Sequence, residues 1–168
     1  MSVKILSRDV EDSIARAWCG ELSAALGIDA CEGNFSSKKY SNSVAYHVDQ
    51  TAHDVVRYLF SGKEHPSVSD SIDGLCRLLA LQDSSPQSTF SSFFKLRSLI
   101  FSGNSAKLLD EGALQLIDAR IDTCALCAID CYVRCRDQIM RLRMDELKRS
   151  TGMLERYRSE SRVGERVG

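Results

Sequence analysis

Four thiols carry the first chemical signal in this chain. Cys124, Cys127, Cys131 and Cys135 recur at intervals of three and four residues, the spacing that gathers side chains on one face of a helix. At about 100° per residue they share an arc of roughly 80° and extend along roughly 16 Å of axis. Cysteine can ligate metals, cycle as a redox couple or act as a nucleophile. A zinc or iron–sulfur site, however, closes its ligands around a point, and one straight helix offers two such ligands more readily than four. The first reading is therefore of small apolar side chains at a close helix contact or an interface. The alternative is a thiol-based redox protein or an accessory subunit of an anaerobic sulfur or electron-transfer system. Arg134 and Arg136 flank Cys135 and are expected to lower its pKa, which makes it the thiol most suited to reaction.

The remaining polar residues assemble no catalytic pattern. His47 and His53 are six apart and fall on different helix faces, whereas a metal pair favours i, i+4; a haem axial ligand from either is a minor reading. Asp118, Asp122 and Asp130 share a helical stretch with Arg120, Arg134 and Arg136, where i, i+4 ion pairing is expected, with Asp130 and Arg134 fitting it directly. No nucleophile elbow or glycine-rich phosphate loop occurs. The expectation is a protein that is not an enzyme and has no cofactor or metal. Phe90, Phe93, Phe94 and Tyr132 are the candidates for a ligand pocket between helices or, the preferred reading, for the core.

The elements that must position these residues are helical. The first runs from Arg8 to Leu26, with Ser7 as N-cap, Asp9 and Glu11 in its first turn and Val10, Ile14, Ala17, Trp18, Leu22 and Ala25 on one face. A loop is expected from Asp29 to Ser41. Asn42 or Ser43 caps a second helix with Val44, Val48, Ala52, Val55 and Leu59 inward, ended by Gly62. Ser67 or Ser69 opens a third, with Ile72, Leu75, Cys76, Leu79 and Ala80 inward. Ser85 and Pro86 mark the clearest start on the chain: the serine side chain accepts from orphan amides, and the proline lacks a donor that would be unpaired there. The aromatic helix that follows ends at Ser102–Ser105. Periodicity then runs from about Ala106 to at least Leu147, or to Tyr157 with a weak point at Gly152. Such a helix spans about 60 Å, so part of it must project or pack on another subunit.

With 43% apolar and 27% charged residues, the 168-residue chain has the composition of one soluble domain. No apolar run is long enough to span a membrane, and Met1–Arg8 has no signal-peptide core. Cytoplasmic placement and reduced thiols are expected, the seven cysteines being an odd number. From Arg134 onward ten Lys or Arg face six Asp or Glu. The acids interrupt the basic residues, which argues against nucleic-acid binding and for a solvated helix face.

Three stretches together resemble a known family. Tyr40-Ser41-Asn42-Ser43-Val44-Ala45-Tyr46, Arg77 through Gln82-Asp83-Ser84-Ser85-Pro86, and Ile121-Asp122 through Tyr132, Arg134-Cys135-Arg136 to Arg149 are similar to the N-terminal domain of the RsbT co-antagonist proteins RsbR and RsbRD of the stressosome. The resemblance covers roughly Val10 to Arg149. It implies an all-helical, globin-like sensory module without haem, of the kind that precedes a STAS domain. A stand-alone domain is expected, so kinase antagonism is not carried over.

The expectation is thus a single all-α bundle over residues 1–150 with a long C-terminal helix, followed by a basic, partly disordered tail over 151–168. It acts in signalling or stress response as a homodimer or by docking a protein partner.

Overall fold

The computed structural model describes residues 7–26, 41–61, 66–81 and 85–164, with only the backbone described at 41–43, 66–67, 88–89, 104–105 and 155–164. Within these residues the fold is all-α: α1 Arg8–Leu26, α2 Ser41–Ser61, α3 Pro66–Leu81, α4 Pro86–Ser102 and α5 Glu111–Gly164, with one 3-10 turn at Asn104–Leu108. The loop expected at Asp29–Ser41, Cys31 and His65 fall largely or wholly outside the described residues. No described helix is both long and apolar enough to cross a membrane.

Local chemistry sets the helix starts. The Ser7 carbonyl accepts from the amides of Val10 and Glu11, so α1 begins where its cap was expected. Both prolines of the chain, Pro66 and Pro86, are the first residues of helices, where the absent N–H leaves no bond unmade; α3 thus starts at Pro66, ahead of the Ser67 or Ser69 expected to open it. α2 starts at Ser41, ahead of the expected cap at Asn42 or Ser43. α5 starts later than its periodicity suggested. Asp110 Oδ1 accepts from the Ala113 amide at 2.7 Å, an N-cap that opens the helix at Glu111, and Ala106 belongs to the preceding 3-10 turn. At the other end α5 does not stop at 150. It continues through Gly152 to Gly164, and a Cβ placed on Gly152 would meet nothing within 4 Å. The partly disordered tail expected from residue 151 is therefore helical to 164.

The helices close a ring. α1 packs on α2, α2 on α3, α3 on α5, α5 on α4 and α4 back on α1. At its centre lie Trp18, Val48, Val55, Leu59, Phe60, Ile72, Leu96, Ile100 and Ile117, all almost fully buried. The Trp18 ring meets Phe93 edge-on at 5.4 Å, and its Nε1–H donates to the Ser92 carbonyl at 2.8 Å. Ala17, expected on the inward face of α1, is exposed, because Trp18 and Ile14 already fill the arc between α2 and α4.

Two arginines link α5 to its neighbours. Arg120 of α5 donates to the Leu59 carbonyl at 2.6 Å and lies over Tyr58; Leu59 belongs to the last turn of α2, whose carbonyls lack helical partners. Arg120→Ala is expected to lower stability by about 1–2 kcal/mol, measured by urea denaturation. On the far side, Arg97 of α4 reaches both Asp118 and Asp122 of α5. Those aspartates therefore answer another helix rather than the arginines of their own, while Asp130 and Arg134 pair at i, i+4 as expected.

Candidate functional site: the two faces of the long helix

The thiol stripe faces inward. Cys124, Cys131 and Cys135 are buried and Cys127 is half-buried, all as free thiols, along the side of α5 that carries Ala113, Ile117, Ile121 and Ala128 into the core. Small residues there let α3 approach closely. Cys76 of α3, which the sequence placed inward but did not join to the stripe, donates its S–H to the Ala128 carbonyl at 3.3 Å.

This environment suppresses thiolate. Burial pushes Cys124 up to about 12, and burial followed by the neighbouring thiols pushes Cys76 well above its ordinary value. Cys131 is also raised, mainly by burial, although Arg134 contacts its Sγ at 3.1 Å and opposes the shift. The expected activation of Cys135 does not occur. Burial and then Asp73 raise its pKa, and together they outweigh Arg77 and Arg134. Thiols held protonated are poor nucleophiles and poor metal ligands. Among the described residues no group of three or more His, Cys, Asp or Glu is arranged to hold a metal ion.

The other candidates separate. His53 lies between Asp12 of α1 and Asp49 of α2, at 3.6 and 3.7 Å, a link between two helices. A cleft of about 510 Å³ nearby is lined by Arg8, Glu11, Asp12, His53 and Arg57; its two guanidinium groups face two carboxylates. His47 is exposed on α2. Of the aromatic set, Phe93 is buried against Trp18, and half-buried Phe90 meets Tyr132 edge-on at 5.6 Å. Phe94 is not core. It is 66% exposed, because it points outward from α4 at the rim of a groove of about 290 Å³ that also takes in Phe93, Ile121, Ala125, Leu126 and Ile129.

The opposite face of α5 holds what the sequence reading missed. Leu126, Val133, Met140, Leu147 and Leu154 follow one another at intervals of seven, and each is at least half exposed. Ile129 and Met144 complete the stripe. It lies about 160° around the helix from the buried cysteines. A seven-residue repeat drifts about 20° per heptad on a straight helix, so it stays turned toward a partner only when two helices wind around each other. From Met140 to Leu154 no described side chain is buried, and residues 140–164 extend α5 by about 37 Å.

No family model, curated protein or solved structure matches this chain. The fold and the two-faced helix define the class as an all-α bundle with a projecting amphipathic rod, and any finer assignment rests on the geometry of that rod.

Proposed function

We propose that this protein is a non-catalytic docking module of a signalling or regulatory assembly, whose outward face of α5 binds another helix. The heptad stripe carries the reading. Seven exposed apolar side chains in one line on the outward side of the helix constitute a surface that water does not favour and that a helical partner covers. The inward face supports it from the other side: protonated, packed thiols suit a structural contact better than redox turnover. The resemblance to stressosome sensory domains is consistent with such a role. In this reading a change in bundle packing moves α5 as a rod and is presented along residues 126–154.

Leu147→Glu tests the reading, since Leu147 touches none of the buried core and its replacement leaves the bundle folded. The expected result is self-association or retention of a co-purifying partner weakened at least a hundredfold, with unchanged helicity by circular dichroism. If both self-association and co-purification are the same as in the unaltered protein, the docking reading is wrong.

A further inference from the structure

The stripe has two unlike halves that mirror each other about Met140. Toward the N-terminus, Leu126, Ile129 and Val133 are backed by the bundle, and Leu126 and Ile129 line the groove beside Phe94. Toward the C-terminus, Met144, Leu147 and Leu154 stand on the projecting rod. Leu126 and Leu154 are each fourteen residues from Met140, about 21 Å along the axis.

Resting on the docking reading, we infer that the occupant of this stripe is a second copy of the chain, laid antiparallel along α5 with the two-fold axis at Met140. Met140 then meets Met140, Val133 meets Leu147 of the second copy, and Leu126 meets its Leu154. Leu154 arrives on the edge that faces α4, where the groove between Phe93, Phe94, Ile121 and Ile129 receives it. The pairing is isologous and closes, as a two-fold contact must. Together with Phe94 the stripe side chains, each 40–67% exposed, present an area on the order of the ~800 Å² per partner that a stable interface covers.

Charge separates this arrangement from the parallel one. Asp130 and Asp137 flank the bundle-backed half, whereas Arg141 and Lys148 flank the projecting half on the same edge. In an antiparallel pair like edges adjoin. Reflection through Met140 brings Asp137 within about 3 Å of axial rise of Arg141 of the second copy, and Asp130 equally near its Lys148. The opposite edge sets Arg136 near Arg143 of the second copy, and Arg141 lies as near its own counterpart across the axis, so that over the whole pair four opposite-charge contacts stand against three like-charge ones. Parallel alignment would instead run the basic segments Arg141–Arg149 side by side and leave both grooves empty of Leu154.

The test uses the full chain in two differently tagged copies, one carrying Leu126→Cys and the other Leu154→Cys, with diamide as oxidant and the unaltered protein as background. The expected result is a dimer by sedimentation and a disulfide-linked heterodimer from the mixed pair, with no such product from either variant alone. Circular dichroism verifies that each variant is folded. A Leu126→Cys protein that cross-links to itself shows parallel pairing and overturns the inference while leaving docking intact. So does a monomer that still retains a stripe-dependent partner. If Leu147→Glu alters neither self-association nor co-purification, the docking reading falls with it.

Discussion

Trp18→Ala is expected to destabilise the bundle by about 3–5 kcal/mol, a large share of the stability of a domain this size. The reason lies in the contact of α1 with α4. Trp18 of α1 is fully buried, contacts Phe93 edge-on and donates its indole N–H to the Ser92 carbonyl of α4. Truncation removes the largest side chain of the core, opens a cavity that rigid neighbours cannot close, and forfeits the only indole hydrogen bond the chain can form, since Trp18 is its one tryptophan. Trp18→Phe separates these contributions: it keeps most of the volume and loses the donor, so its effect should fall near the value for a lost hydrogen bond plus a small void. Urea denaturation followed by circular dichroism gives both numbers. An alanine variant within about 1 kcal/mol of the unaltered protein would mean that α1 does not anchor α4 as described.

Much of this architecture is legible in the chain because its local signals agree. α1 and α4 open where Ser7 and Pro86 mark them, whereas α3 opens at Pro66, ahead of the expected Ser67 or Ser69, because proline at the first helical position forfeits no bond. What the periodicity cannot show is which of two partners a charge or a ring prefers. Asp118 and Asp122 read as members of an i, i+4 ladder, yet Arg97 lies across the contact from α4 and takes both. Phe94 reads as core, since Phe93 and Phe90 beside it are, but adjacent helix positions diverge by about 100° and α4 needs only one of those directions inward. The start of α5 moved because Asp110, a single capping side chain, outweighs the weak helical pattern from Ala106.

The outward stripe was hidden for a different reason. α5 is apolar on two nearly opposite faces, one bearing Ile117, Ile121, Cys124, Ala128 and Cys131, the other Leu126, Val133, Met140 and Leu147. Opposed faces cancel in any measure of a single amphipathic direction. Only separation into two registers, or the burial pattern of the fold, distinguishes the stripe held by α3 from the stripe left exposed. The same doubling gives the helix its mechanical character. Close contact with α3 through small thiols and alanines ties one face to the bundle, while the other face stays exposed.

The inward face makes a second large effect measurable without touching the outward one. A thiol that ionises near its ordinary value of 9 in the unfolded chain but is pushed up to about 12 in the fold, as Cys124 is, binds a proton in the native state that the unfolded state has released. Below pH 9 both states hold the proton and its contribution to stability is fully present. Between pH 9 and 12 the native state binds more, so every unit of rising pH favours unfolding by about 1.4 kcal/mol for that thiol. Cys76, Cys131 and Cys135 shift in the same direction. Tyrosines and lysines titrate in this range too, so the informative quantity is a difference. Cys124→Ala introduces a small packing loss that is constant with pH and removes one titrating group. Its stability relative to the unaltered protein is therefore expected to recover by about 1.4 kcal/mol per unit between pH 9 and 11, by urea midpoint at fixed ionic strength. A gap that stays constant over those two units would mean that Cys124 is open to solvent, and with it the packed inner face on which the outward rod depends.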